Sequence, residues 1–251
     1  MACQTPRLYL IFNCFHDYPC PVPMTQHQLT LDSDGLALAA ILHVPADSVS
    51  SASSRPSQKI PGVVVCHPHP RYGGDMNNGV VAGLVQRLQA SGIAALRFNH
   101  RGVAGSEGEF AGGGDGALAD ARSALEELSL DERVDATRVG IAGYSFGASV
   151  ALQASLDSDS VQAIAAIACP VGVFKALGAR ELLQPKLLVL GDRDHDFPAD
   201  QFRFLARRYS EPKQVSLISG ADHFFQGHES TLGEMTAEFF AKWLVADVGA
   251  D

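Results

Sequence analysis

The sequence feature that most constrains the fold is a G-x-S-x-G pattern set between two apolar segments. The pattern occupies Gly143–Gly147 and reads GYSFG. The segment before it, Val139–Ala142, is short and apolar and is typical of a buried parallel strand. The segment after it, Ala148–Ala154, is rich in small and apolar residues and predicts a buried helix. The sequence therefore predicts a sharp strand-to-helix turn with Ser145 at its tip.

Such a turn requires small residues on both sides of the serine. Gly143 and Gly147 would let the strand and the helix pass without a Cβ clash, and Ser145 would adopt a strained conformation. The helix would begin directly after the serine, so the N–H of Phe146 would be free to donate to an oxyanion. A chance match is the alternative, because short patterns are common, and the strand-turn-helix context weighs against it.

Two further apolar segments lead to polar residues that suit the same chemistry. The run 185–191 leads to Asp194, and the run 215–221 leads to His223. Polar residues just past the carboxyl ends of strands are where open α/β sheets bind ligands. The chain order Ser145, Asp194, His223 is that of the α/β-hydrolases, and the chain resembles this superfamily.

Further motifs narrow the resemblance to one small bacterial subgroup of compact, lidless predicted hydrolases. It covers residues 60–245 and implies the α/β-hydrolase fold. That fold is a mostly parallel twisted sheet of about eight strands with helices on both faces, and we expect no cap domain. The motifs are HPHP at 67–70, GGDMNN at 73–78, FNHRGVAGSEG at 98–108, GYSFGA at 143–148 and GADHFF at 220–225.

The order of the remaining patterns agrees with this fold class, because strands alternate with helices. A hairpin around 32–35 and a serine-rich loop at 48–58 come first. We predict strands at 60–66, 93–98, 139–142, 161–168, 186–190 and 213–218. We predict helices at 78–90, 117–128, 148–154, 173–183, 199–209 and 230–245.

Composition and charge exclude several classes of protein. The 251 residues are 46% apolar, which suits one α/β domain with a large core. The net charge of −9, without a basic run, argues against nucleic acid or an anionic membrane as partner. Five scattered cysteines predict reduced thiols and a cytoplasmic location, and no apolar stretch is long enough to span a membrane.

The first residues differ from the rest of the chain. The apolar run Leu8–Phe12 is followed by prolines at 19, 21 and 23, which break regular structure. We predict an extended or disordered leader at 1–24 and the hydrolase domain at 25–251. A signal peptide and an alternative start at Met24 are the other interpretations.

The loop after the strand at 60–66 should supply the second oxyanion donor. Many members of the superfamily read His-Gly-x-Pro there, and this chain reads HPHP at His67–Pro70. The resemblance therefore implies the backbone N–H of His69, although Pro68 departs from the pattern and Arg71 or Tyr72 are alternative donors. The two histidines also have the spacing of metal ligands, but no further ligands accompany them, so we predict neither a metal nor a cofactor.

The acid of the triad has three candidates, Asp192, Asp194 and Asp196. The Gly-x-x-Asp pattern of the superfamily selects Asp194, which must accept the Nδ1–H of His223. The other two aspartates are predicted to be turn and helix-capping residues. We expect Asp222 to serve its loop and Arg101 to brace turns. The histidines predicted to be structural are His16, His27, His43, His100, His195 and His228.

The sequence thus predicts a serine hydrolase, carboxylesterase-like, that acts on small-molecule esters through an acyl-enzyme. Thioesterase, peptidase and acyltransferase activities are variants on the same site, and a non-catalytic binding protein on this fold is the rival interpretation. Dienelactone-type hydrolysis is disfavoured, because enzymes of that type have Cys at the position of Ser145. The aromatic residues predicted to bind substrate are Tyr72, Phe174 and Phe224, with Phe110, Phe146 and Phe197 as further pocket candidates that could equally be core.

Overall fold

The computed structural model of the chain describes residues 24–45, 58–112, 114–156, 158–178 and 180–245. The predicted leader lies outside these ranges except for Met24, and so does the serine-rich loop except for Gln58. The strands are β1 Met24–Ser33, β2 Leu36–Pro45, β3 Ile60–Cys66, β4 Ala94–Phe98, β5 Val134–Tyr144, β6 Val161–Ile167, β7 Lys186–Gly191 and β8 Lys213–Ile218. The α-helices are α1 Gly79–Ala90, α2 Gly114–Leu130, α3 Phe146–Ala154, α4 Val171–Leu177, α5 Ala199–Ala206 and α6 Glu229–Phe240.

The eight strands form one sheet in the order β1-β2-β4-β3-β5-β6-β7-β8. The hairpin β1–β2 and the pair β2–β4 are antiparallel, and the pairs from β4 to β8 are parallel. Parallel strands must be covered on both faces, which explains why β3 and β7 read as continuous apolar runs. The predicted fold class is confirmed.

Two glycines of β5 show that helices cover both faces of the sheet. A Cβ on Gly140 would meet the ring of Phe240 in α6, whereas a Cβ on Gly143 would meet the backbone of Gly147 in α3. Residues an odd number of positions apart in a strand point to opposite faces, so α6 and α3 lie on opposite sides. The carboxyl end of β5, which carries the nucleophile pattern, therefore opens directly into α3.

The connection between β6 and β7 differs from the sequence prediction. The helix expected at 173–183 begins at Val171 and ends at Leu177. Tyr209 closes it, because its hydroxyl donates to the Phe174 carbonyl at 2.9 Å and its ring crowds Gly178. Within the described residues this connection holds one short helix and irregular chain, so no cap domain is present there.

The last helix is also shorter than predicted. The α-helical part ends at Phe240, and Ala241–Val245 continues as a π-helical turn. None of the helices in the described ranges has the length and apolar character required to cross a bilayer.

Candidate active site

Ser145 lies at the turn between β5 and α3 in a conformation that few side chains adopt. Its φ is 55° and its ψ is −114°, and a positive φ is strained for a residue with a Cβ. The Ser145 N–H donates to the Ile167 carbonyl of β6 at 2.8 Å, which holds the turn against the neighbouring strand. A Cβ on Gly143 would clash with the Gly147 carbonyl, and one on Gly147 would clash with the Cys66 carbonyl. Both glycines are therefore required by close packing.

The three residues predicted to form the triad meet at the carboxyl ends of β5, β7 and β8. The Oγ of Ser145 lies 3.0 Å from Nε2 of His223. The Nδ1 of His223 lies 2.7 Å from Oδ2 of Asp194. The hydroxyl of Tyr144 donates to the backbone carbonyl of His223 at 2.8 Å and so fixes the histidine loop beside the serine.

Hydrogen bonds distinguish the three candidate aspartates. Oδ1 of Asp194 accepts the backbone N–H groups of Asp196 and Phe197 at 2.9 and 3.2 Å, which leaves Oδ2 for the histidine. Asp192 instead accepts the N–H of Gly220 at 2.7 Å and joins two loops, as a turn residue would. The prediction that Asp196 caps a helix is wrong, because α5 has Pro198 at its N-cap and no side-chain cap.

The acid next to His223 shifts its protonation equilibrium. The hydrogen bond from Nδ1 to Asp194 raises the pKa of His223 above its ordinary value, and this outweighs the opposing effect of burial. The carboxylates of Asp196 and Asp222 raise it further. Asp222 also accepts the N–H of Phe224 at 2.9 Å, so it serves its loop as predicted. This surrounding stabilises an imidazolium at the position where a proton from Ser145 would arrive.

The backbone N–H groups of Phe146 and His69 lie near the serine and have no acceptor among the described residues. Phe146 is the first residue of α3, where helix N–H groups lack intrahelical partners. The alternative donors are already occupied: the Arg71 N–H donates to Nδ1 of His69 at 3.1 Å, and the Tyr72 N–H donates to the His69 carbonyl at 3.0 Å.

The aromatic residues predicted to bind substrate divide into two groups. Tyr72 is 88% exposed with its ring 5.4 Å from that of His69, and Phe224 is 70% exposed with its ring 5.8 Å from that of His223. The prediction for Phe174 is wrong, because this side chain is 1% exposed. It lies in a core aromatic cluster with Phe197, Phe202 and Tyr209.

Sequence reasoning missed a part of the site surroundings that is built from the ring of His69. This ring packs edge-to-face with Phe110 at 5.1 Å and with Phe146 at 5.2 Å, and the two phenyl rings are 5.5 Å apart. The three rings join the loop between β4 and α2, which carries Phe110, the loop after β3 and the start of α3. The contact among these three rings could not be predicted from the sequence, because the three residues are far apart in the chain and no local pattern links them.

A buried polar cluster behind the site was also missed in part. Asp120 is fully buried and accepts hydrogen bonds from the Ser33 hydroxyl at 2.9 Å and from the Arg101 backbone and side chain at 2.9 Å each. Burial alone would raise the pKa of Asp120, but these hydrogen bonds and the nearby His100 lower it to about 2. The prediction that Arg101 braces turns is confirmed, because it also bonds Asp34 at 3.0 Å.

One group of metal-capable side chains occurs in the described part of the chain. Asp194, Asp196 and His223 offer ligand atoms within 4.8 Å of one another. Two of them are already joined by the 2.7 Å hydrogen bond, so a cation there would have to displace the Nδ1 proton of His223. His67 and His69, whose spacing resembles a ligand pair, are not part of this group.

The sheet order and the strand-turn-helix at Ser145 define an α/β-hydrolase, and the chain belongs to the dienelactone hydrolase family. The model of that family matches residues 109–244. An uncharacterized protein of Rickettsia prowazekii is 35% identical over an alignment of 178 residues that covers 68% of this chain and 74% of that protein. The chain is thus a hydrolase of the α/β-hydrolase type.

Solved structures of serine hydrolases are similar over most of the chain. An α/β serine hydrolase homologue from Coxiella burnetii has a TM-score of 0.70 and 29% identity, over 84% of this chain and 96% of that one. A member of the α/β serine hydrolases without a lid, from Xanthomonas campestris, has a TM-score of 0.73 and 27% identity, over 88% and 96%. The absence of a lid in the second of these structures agrees with the short connection between β6 and β7.

Proposed function

We propose that this chain is a carboxylesterase-like serine hydrolase that cleaves small esters or thioesters. Ser145, His223 and Asp194 would form its catalytic triad. The observation that carries the proposal is the continuous hydrogen-bonded path from Oγ of Ser145 through both ring nitrogens of His223 to Asp194, with 3.0 and 2.7 Å steps. A nucleophile, a base and a residue that orients the base are the parts that acyl transfer requires.

The proposed reaction has two halves. Nε2 of His223 takes the Ser145 proton while Oγ attacks the ester carbonyl, and Asp194 stabilises the imidazolium. The N–H groups of Phe146 and His69 hold the negative carbonyl oxygen. The imidazolium gives its proton to the leaving alcohol or thiol, and an acyl-Ser145 ester remains. His223 then takes a proton from water while this water attacks the acyl ester, and it returns the proton to Oγ of Ser145 as the acid is released.

The surroundings of Ser145 favour small substrates. Tyr72 and Phe224 are exposed beside the site, and the β6–β7 connection contributes no cap in the described residues. An open site offers apolar contact from loop side chains and little enclosed volume for a long acyl chain. We therefore propose short-acyl esters as substrates, with no increase in rate at a lipid–water interface.

A fluorophosphonate probe tests the nucleophile directly, because it forms a covalent bond only with an activated serine. We expect one label per molecule, at Ser145, and none in Ser145→Ala or after denaturation. A matched control is Ser149→Ala, which alters another serine of α3, one that is buried and hydrogen-bonded to Cys169 rather than to His223. Stoichiometric labelling elsewhere, or none in the native protein, would reject the proposal.

Acyl esters of graded chain length then test the substrate class. We expect kcat/KM to be highest for acetyl and butyryl esters and to fall for acyl chains of eight or more carbons. A parallel series of thioesters with the same acyl groups distinguishes the two leaving groups. Highest activity on long chains, with a sharp rise above the solubility limit, would contradict the open site.

A further inference from the structure

The loop that carries the His69 N–H begins with a buried histidine that the triad does not use. His67 directly follows β3, and its side chain is fully buried. Its Nε2 accepts the backbone N–H of His100 at 3.1 Å, so this nitrogen carries no proton. Its Nδ1 lies 2.7 Å from the carbonyl oxygen of Pro68. A neutral ring with its proton on Nδ1 satisfies both contacts, and the two neighbours therefore select one tautomer of His67.

The carbonyl that the His67 ring contacts and the N–H proposed as an oxyanion donor belong to one peptide unit. The carbonyl of Pro68 and the N–H of His69 are parts of the same planar group, which is trans. In a trans peptide the C=O and the N–H point in opposite directions. A Pro68 carbonyl that is held by the His67 ring therefore directs the His69 N–H away from that ring.

The loop that contains this peptide contacts the nucleophile turn. A Cβ on Gly147, in the first turn of α3, would lie 2.7 Å from the His67 carbonyl oxygen, so the loop contacts the helix start. The ring of His69 is 5.2 Å from that of Phe146, the residue after Ser145. The His69 N–H has no acceptor in the described part of the chain. It is thus an open donor beside the serine.

We propose that His67 is a positioning residue for the hydrolysis described above. Its Nδ1–H fixes the Pro68–His69 peptide so that the His69 N–H points at the oxyanion. His67 itself does not touch the substrate. The bond also gives a role to proline at position 68, since a residue with a fixed φ and no N–H leaves its carbonyl as the polar group available for orientation. This inference rests on the proposed serine hydrolase function.

Two amide substitutions separate the two hydrogen bonds of the ring. The amide group of Asn occupies the region of Nδ1, so His67→Asn keeps a donor for the Pro68 carbonyl and loses the acceptor for His100. The longer Gln places its amide near Nε2, so His67→Gln keeps that acceptor and loses the donor. We expect the Asn variant to retain kcat for p-nitrophenyl acetate within about tenfold. We expect the Gln variant to lose about 10² to 10³ in kcat, the usual effect of losing one oxyanion donor.

Additional measurements distinguish positioning from a purely structural role. KM for p-nitrophenyl acetate should be nearly unchanged in both variants. The inhibition constant of phenylboronic acid, whose tetrahedral adduct needs the oxyanion donors, should rise in the Gln variant in proportion to the loss of kcat. The control is His100→Phe, which removes a buried imidazole but keeps the backbone N–H that bonds His67, and its kcat should stay within about threefold of the wild type.

Equal losses of kcat in the Asn and Gln variants, or a hundredfold loss in the Asn variant, would overturn the role of His67. In that case fluorophosphonate labelling of the wild-type Ser145 would still leave the proposed function standing. A wild-type protein that neither labels nor hydrolyses esters overturns both proposals. Should His67→Gln fail to fold, the Asn variant still tests the proposal, because a hundredfold loss of kcat in a variant that keeps the donor for the Pro68 carbonyl would overturn it.

Discussion

Two regions of the molecule each bring together a serine, a histidine and an aspartate. They differ in which of the three side chains lies in the middle and in how far the histidine is exposed to water. In the first, His223 lies between Ser145 and Asp194, with 22% of its side chain exposed. In the second, buried region the aspartate is central: Asp120 accepts the Ser33 hydroxyl and lies 3.5 Å from Nδ1 of a fully buried His100.

The pKa values of the two histidines shift in opposite directions. The hydrogen bond with Asp194 raises the pKa of His223, whereas burial dominates at His100 and lowers it. The same three residue types therefore give a proton acceptor in one place and a neutral structural group in the other. Connection and exposure, rather than composition, make one of them a candidate for catalysis.

The largest expected contrast comes from removing each serine hydroxyl. Ser145→Ala should lower kcat by about a million-fold if the triad acts as a unit, with little change in the free energy of unfolding. Ser33→Ala should lower the free energy of unfolding by about 1–3 kcal/mol, because it leaves buried partners unsatisfied, with kcat within about threefold. Ester hydrolysis rates and urea unfolding curves measure both. Appreciable turnover by a folded Ser145→Ala protein would show that Ser145 is not the nucleophile, and the two regions would then not differ in catalysis.

The aspartates give the next largest contrast. Asp194→Asn should lower kcat about ten-thousand-fold, because the amide selects the wrong tautomer of His223. Asp120→Asn should cost about 3 kcal/mol in the free energy of unfolding, since it breaks a buried pair with Arg101, while the folded protein keeps kcat within tenfold. Asp192→Asn and Asp196→Asn serve as controls and should change kcat far less than Asp194→Asn does. A larger loss in either control would show that the acid is assigned to the wrong aspartate.

Acid should abolish activity because it protonates His223, the base of the first region. Neutral His223 is the base, so kcat/KM should rise about tenfold per pH unit and level off above the pKa of this histidine. Because the Asp194 hydrogen bond raises that pKa, the midpoint should lie above the ordinary histidine value near 6.5. Initial rates between about pH 5 and 9 test this. A profile that does not change across that range would mean that another group is the base.

Acid should also lower the stability of the fold, because the pKa values of buried histidines are lowered whereas that of His223 is raised. The pKa values of His43 and His67 are lowered to about 3 by burial. Between this value and about 6.5 the unfolded chain binds more protons than the folded one, so the free energy of unfolding falls as the pH falls through that window. At about pH 5 each histidine should cost about 2 kcal/mol relative to about pH 7.5.

Urea unfolding at the two pH values measures this loss of stability. His43→Gln is the matched variant, since it removes one of these buried imidazoles, and its loss of stability between the two pH values should be smaller than that of the wild type by about 2 kcal/mol. Asp120 contributes little between about pH 5 and 7.5, because both its ordinary pKa of 3.8 and its lowered pKa of about 2 lie below this interval. Equal stability at both pH values would contradict the burial of these rings in neutral form.

The sequence was sufficient for features that follow from local pattern. The turn at Ser145 was predictable because Gly143 and Gly147 leave few other uses for such a pattern. His223 was located by the strand that precedes it, whereas Asp194 was chosen among three aspartates by the resemblance to the superfamily pattern. The role of Phe174 was not predictable, because a phenylalanine in an amphipathic stretch looks the same whether it faces the core or the site. Its burial depends on Tyr209, more than thirty positions away, and local periodicity does not record such contacts.

The contact of Tyr144 with the histidine loop has a mechanical consequence. Tyr144 and Ser145 are consecutive residues, and one hydroxyl holds the backbone of His223 while the other meets its ring. The two contacts to His223 thus come from neighbouring residues, so the covalent geometry of the Tyr144–Ser145 dipeptide restrains the distance between nucleophile and base. A displacement of the loop after β8 would be resisted at two adjoining anchor points, so thermal motion would carry both reacting atoms together. The loop after β8 can then vary in length without changing the relative position of the Ser145 hydroxyl and the His223 ring, provided that the His223 carbonyl still accepts the hydrogen bond from Tyr144.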